Sequence, residues 1–216
     1  DDGTKEYWAA RESASSFFDR NDDGNRERTE SRSWAFYLRD SDEDGNMEYS
    51  HRSRSYYLYL DRDSDGNKEY GYYNSHYWTR GDSNDNGRPE YYYSKYSYSY
   101  YIDRNDDGWR EISRSYTRAY NYRDADEDRN FEYYYYYLSS SYYLNRDSDR
   151  CYEYGSGYTT YWLRVDADDN GKPERRAYTR ASWYFIDRND DCRREISYSY
   201  RRAYDLRDAD EDGNYE

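Results

Sequence analysis

Large and small side chains alternate with a period of two along much of the chain. In "ISRSYTRAYNYR", Ile112, Arg114, Tyr116, Arg118, Tyr120 and Tyr122 fall on one side, and Ser113, Ser115, Thr117, Ala119 and Asn121 fall on the other. This is the spacing of a β-strand with two unlike faces. "RTESRSWAFYL" sets Trp34, Phe36 and Leu38 against Ser31, Ser33 and Ala35 in the same way. No stretch keeps a 3.6-residue period, and Tyr, Ser and Thr abound, so helices are not expected. Each twelve-residue interval ends in a cluster of Asp and Asn, commonly with Gly, which is turn chemistry. One face of large residues is expected to pack through aromatics, and the small face to accept a close backbone or an attached group.

The turns recur every 21 residues without insertion or deletion. Position one of each turn is Asp19, Asp40, Asp61, Asp82, Asp103, Asp124, Asn145, Asp166, Asp187 and Asp208. Position nine is Glu every time, at Glu27, Glu48, Glu69, Glu90, Glu111, Glu132, Glu153, Glu174, Glu195 and Glu216. Positions three and five pair Asn21 with Asp23, Asp42 with Asp44, Asp63 with Asp65, Asn84 with Asn86, and Asn105 with Asp107. The series continues with Asp126 and Asp128, Asp147 and Asp149, Asp168 and Asn170, Asn189 and Asp191, and Asp210 and Asp212. Position six is Gly at Gly24, Gly45, Gly66, Gly87, Gly108, Gly171 and Gly213, where a positive φ is expected; Arg129, Arg150 and Cys192 replace it elsewhere and predict strain.

A longer period of 84 residues lies over the first: "DRNDDG" at 19 returns at 103 and as "DRNDDC" at 187, and "NGRPE" at 86 returns as "NGKPE" at 170. The chain therefore reads as a single array, with a partial loop at 1–6 followed by ten repeats, 7–27, 28–48, 49–69 and so on to 196–216. Beginning and ending inside the motif suggests an excerpt of a longer polymer. The expected fold is all-β, an elongated antiparallel meander or ribbon, or a β-solenoid.

The location of charge gives the turns a chemistry. Of 47 Asp and Glu residues, only Glu12, Glu30 and Asp205 lie between loops; the intervals carry 18 Lys and Arg, so the intervals sum to +15 and the loops to −29. Three or four carboxylates in one small loop repel one another unless a cation sits among them. Four oxygen-bearing side chains and a main-chain carbonyl at position seven suit Ca²⁺, which takes six or more oxygens, better than Mg²⁺, which keeps its waters. Positions one, three and five would supply single oxygens, and the position-nine Glu a closing carboxylate. With about one Ca²⁺ per loop, the formal charge of −14 would move to about +6.

The spelling D-x-[DN]-x-[DN]-G-x-x-E is similar to the calcium loops of integrin-type FG-GAP propeller blades, which also close at position nine. The 21-residue spacing and stretches such as "YLYLDRDSDGN" resemble the YD or Rhs repeats of bacterial surface and toxin-shell proteins. These resemblances imply extracellular, calcium-bound β-structure and carry over no toxin activity.

Only 17 Leu, Ile, Val and Phe occur in 216 residues, against 37 Tyr and 6 Trp, so a thick apolar core is not expected and a thin, metal-stapled sheet is. The leading expectation is a structural protein of an extracellular or cell-surface fibre, matrix or adhesin stalk that self-assembles. The alternative is a carbohydrate-binding or O-glycan-coated surface, since "YYYSKYSYSYY" and "YYYYYLSSSYY" offer ring faces and hydroxyls. No N-x-S/T sequon is present, and no apolar run is long enough to span a membrane. Nucleic acid is not an expected partner of so acidic a chain. His51 and His76 stand in strands without a recurring Ser, Cys or acid constellation, so an enzyme is not expected. Cys151 and Cys192 exclude a disulfide framework and leave a single bridge open.

Overall fold

The computed structural model describes residues 7–42, 44–147, 149, 151–210, 212 and 214. The partial loop at 1–6, Arg150, Gly213 and Glu216 lie outside the described residues. Ten strands follow one another, β1 Tyr7–Phe18, β2 Arg28–Arg39, β3 Tyr49–Leu60, β4 Tyr70–Gly81, β5 Tyr91–Ile102, β6 Ile112–Arg123, β7 Tyr133–Leu144, β8 Tyr154–Val165, β9 Arg175–Ile186 and β10 Ile196–Arg207. Each strand begins on the residue after a position-nine Glu and fills its twelve-residue interval. All ten form one open antiparallel sheet in sequence order, so the meander is the form adopted. No described residue is helical.

The register follows from the loop length. Phe18 pairs with Arg28 across loop residues 19–27, and Arg28 pairs with Leu60 on its other side. An odd number of residues between partners preserves parity, and opposed residues share a face. Even-numbered strand residues therefore occupy one face of the whole sheet, and odd-numbered ones the other. Across the middle of the odd face, Ser13, Ser33, Ser55, Ser75, Ser97, Thr117, Ser139 and Thr159 stand in register and form a row of hydroxyls. Ser33 and Ser55 hydrogen-bond at 2.8 Å, and Ser97 and Thr117 at 3.2 Å.

The expected division into an aromatic face and a small face holds for most of β6 and the middle of β2 but not for the whole sheet. Five consecutive tyrosines, Tyr133 to Tyr137, must point alternately to both sides. On the odd face, Tyr37 lies between Tyr7 and Tyr49 at 4.8 and 5.4 Å, and on the even face Tyr98 stacks on Tyr116 at 5.3 Å. These cross-strand rings supply the packing that aliphatic residues supply elsewhere. Among the described residues, only Ala119, Cys151, Leu163, Ala177 and Phe185 form a buried apolar set, whereas Asp82 and Asp166 are 0% exposed. The best-shielded side chains are thus acids at the sheet edges, the reverse of a globular core.

The 84-residue period reappears as repeated contacts. Arg110 stacks over the Tyr101 ring at 4.0 Å, and Arg194 over Phe185 at 3.9 Å. Beneath those rings lie Gly71 and Gly155, their cross-strand partners. A Cβ on Gly71 would meet Tyr101 at 2.2 Å, and one on Gly155 would meet Phe185 at 2.3 Å. The glycine lets the ring lie flat on the strand while the guanidinium covers its other side. Gly155→Val is expected to destabilise the folded protein by about 1–3 kcal/mol, since the ring is held from above and cannot move aside freely. A lowered midpoint in thermal unfolding checks this; an unchanged midpoint would show that the ring moves without cost.

The bridge that sequence left open is formed: Cys151 and Cys192 are joined, with Cα atoms 5.1 Å apart. They occupy position seven of one loop and position six of the second loop after it. Alternate loops stand on the same sheet edge in a meander, which is why residues 41 apart in sequence meet.

Candidate metal centres

Each loop is folded by its own acids before any cation is considered. The position-three carboxylate or amide oxygen accepts the position-five N–H, as in Asp65 N–H to Asp63 at 3.3 Å. The position-five oxygen accepts the position-seven N–H, as in Asn67 N–H to Asp65 at 2.7 Å. These are nested Asx turns. The position-one Oδ2 accepts the position-six N–H, as in Gly24 to Asp19 and Gly45 to Asp40, both at 3.0 Å. Position nine closes the ring by accepting the position-two N–H: Arg20 to Glu27 at 2.7 Å, Ser41 to Glu48 at 2.8 Å, Arg62 to Glu69 at 2.8 Å, and Ala125 to Glu132 at 2.8 Å. Arg104 and Glu111 make the same bond. The position-nine Glu thus ties the end of the loop to its start.

The backbone meets the expected demand at position six, with Gly66 at φ 101° and the other described loop glycines also positive. Arg129 and Cys192 take the same conformation at φ 76° and 65°, at the steric cost of a side chain. Position four is left-handed as well, at Asp22, Ser64, Asp85, Asp106, Glu127, Asp169 and Asp190. Sequence reading had given this position no role.

What the internal bonds leave over is informative. Oδ1 of Asp19, Asp40, Asp61, Asp82, Asp103, Asp124 and Asp166 is buried with no hydrogen-bond partner, and Asn145 Oδ1 is in the same state. A buried carboxylate oxygen without a donor or cation is costly. Asp40, Asp42 and Glu48 place ligand atoms within 4.8 Å of one another, as do Asp61, Asp63 and Asp65. The sequence-predicted sites are thus gathered locally within these loops. Asp187 differs, its Oδ1 accepting the Asp190 N–H at 2.9 Å in the loop where Cys192 replaces glycine.

Among the described residues, basic side chains reach only two of these groups. Among the described residues, the ion pairs that reach loop acids are Arg80 to Asp82 and Arg164 to Asp166, each at 2.8 Å. The three interval acids, by contrast, are all satisfied. Glu12 accepts Trp34 Nε1 at 2.9 Å, Glu30 pairs with Arg28 at 2.7 Å and Arg32 at 2.6 Å, and Asp205 accepts two bonds from Arg175.

The protonation equilibria reflect the crowding. Asp106 is pushed up to about 6, first by desolvation and then by the charges of Asp63, Asp65 and Glu69. Asp85 is also pushed up to about 6, by desolvation and then by Asp44, Asp42 and Glu48. Desolvation likewise raises Asp61, Asp103 and Asp124. Burial pushes Glu27, Glu48 and Glu90 up, but the amide hydrogen bonds they accept outweigh it and hold them below the usual glutamate range. These three carboxylates are therefore held ionised.

His51 Nδ1 lies 3.2 Å from Thr79 Oγ1, and His76 Nε2 lies 3.3 Å from Ser94 Oγ, with desolvation and then Arg54 lowering the His76 pKa. Both sit on the sheet faces, apart from the loops. No protein-family model, curated protein or solved structure matches the chain.

Proposed function

We propose that the chain is a calcium-stapled structural repeat protein of an extracellular fibre, matrix or adhesin stalk, with about one Ca²⁺ per loop. The observation that carries this reading is the recurrence, along both sheet edges, of a buried position-one Oδ1 with no partner beside other carboxylates. A hard divalent cation converts that arrangement from a cost into a stabilising contact. The likeness of the loop spelling to FG-GAP and YD or Rhs repeats points the same way.

An extracellular setting is supported by two further features. Open loops of this kind hold calcium at the millimolar levels found outside cells, and a disulfide persists in oxidising surroundings. Equilibrium dialysis of the metal-stripped protein against CaCl₂ tests the reading: uptake near one ion per loop is expected, and none at millimolar calcium overturns it.

The hydroxyl row of the odd face and exposed rings such as Tyr73, Tyr158 and Tyr198 favour the glycan-coated alternative. It is compatible with calcium at the edges. Peptides of these strands, released by protease from the protein of its source and heavier than their sequences by whole sugar units, are its expected signature.

A further inference from the structure

We infer that each cation site is shared between successive loops of one edge, the left-handed position-four residue of the second loop onward supplying an oxygen to the loop before it. This deepens the calcium reading and rests on it. Asp106 places a carboxylate oxygen within 4.8 Å of ligand atoms on Asp63 and Glu69, although it belongs to the loop beginning at Asp103. Asp85 does the same to Asp42 and Asp44.

Several of the position-four oxygens are also left without donors. Oδ1 of Asp85, Asp106, Asp169 and Asp190 is buried and unpartnered, and so is Oγ of Ser64, a residue only 3% exposed. The Ser64 carbonyl accepts Asn25 Nδ2 at 2.6 Å, which places that residue against the loop containing Asn21, Asp23 and Glu27.

The main chain holds this arrangement in register. Asp61 N–H donates to Glu27 O at 2.8 Å, Asp103 N–H to Glu69 O at 2.7 Å, and Asp208 N–H to Glu174 O at 2.9 Å, joining the end of one loop to the start of the next on that edge. Asn130 Nδ2 donates to Asp169 O at 3.2 Å, repeating the Asn25 contact. Position four has positive φ wherever it is described. Glu127 shows the same placement with another chemistry, its two oxygens accepting Asn84 Nδ2 at 2.5 Å and Asn86 Nδ2 at 2.6 Å. That loop has only Asp82 and Glu90 as acids of its own at the four ligand positions, so Glu127 brings a third carboxylate to it. Cations bound this way form a column along each edge, in which one loop's ion fixes the next loop's position.

The test compares the wild-type chain with the variant D85N, D106N, D169N and D190N, both stripped of metal and titrated with CaCl₂ in a calorimeter. Asn accepts the left-handed backbone and keeps an oxygen while removing the charge. At least a tenfold loss of affinity at four of the sites is expected, within the range by which ligand charge tunes calcium binding. Ser64→Asp, which adds a carboxylate, is expected to tighten one site by a comparable factor. If the wild type takes calcium at about one per loop and neither variant changes any affinity, the shared ligand is overturned while the calcium reading stands. If the wild type takes none, both fall.

Discussion

Chelation with excess EDTA is expected to abolish the cooperative thermal transition seen in millimolar calcium and to leave a largely unfolded chain. A loop with a dissociation constant of roughly 0.1 mM gains about 1.4 kcal/mol at about 1 mM calcium, and ten loops gain about 14 kcal/mol. That equals the entire stability of an ordinary domain, about 5–15 kcal/mol. Little in the sheet replaces it, because the buried apolar set among the described residues is five side chains. The unpartnered position-one oxygens would meanwhile become uncompensated. Circular dichroism during titration with EDTA, followed by calcium in excess, reads loss and recovery of the β signal. An unchanged melting temperature would show that the Asx turns and aromatic ladders suffice.

Reduction of the Cys151–Cys192 bridge is expected to have the next largest effect. Closing a chain segment of this length, with partners 41 residues apart, restricts the unfolded state by about 4 kcal/mol. For a chain of this size that corresponds to a fall in melting temperature of about 8–16 °C at saturating calcium. Cys151 stands at the loop position where Asn25 and Asn130 donate to the second loop onward, so the bridge adds a covalent tie between loops that elsewhere are joined there by hydrogen bonds. Scanning calorimetry with and without a phosphine reductant measures the difference. A shift below one or two degrees would mean that calcium already fixes the junction.

The strands were legible in the sequence to the residue, because Asp or Asn and Glu bracket every turn at constant spacing and the intervals between them alternate. The choice between meander and solenoid was not, since both use the same strand length and the same turn residues. It is decided by the nine-residue loop returning the chain beside itself, as Phe18 and Arg28 show. The even distribution of Tyr over both faces was implicit in "YYYYY" at 133, but β2 and β6, with their cleaner alternation, suggested a simpler division.

Position four is not legible as a candidate ligand while each loop is taken as a closed unit, because the acids that gather within one loop are those of positions one, three, five and nine. The signal was nevertheless present: the position reads Asp22, Glu43, Ser64, Asp85 and then repeats as Asp106, Glu127, Ser148, Asp169. An oxygen-bearing side chain at every copy, in a left-handed backbone wherever the residue is described, is a regularity that turn formation alone does not demand. The disulfide was illegible for the same reason, since only stacking of alternate loops on one edge brings residues 41 apart together.

The central claim is that cations are architectural parts of this sheet. Anomalous scattering from calcium in crystals or oriented fibres of the calcium-loaded protein tests it most directly. Two rows of peaks are expected, one along each sheet edge, with one peak per loop lying between the position-one carboxylate and the position-nine Glu. Loops without peaks at millimolar calcium, in a sheet that is nevertheless folded, would contradict it.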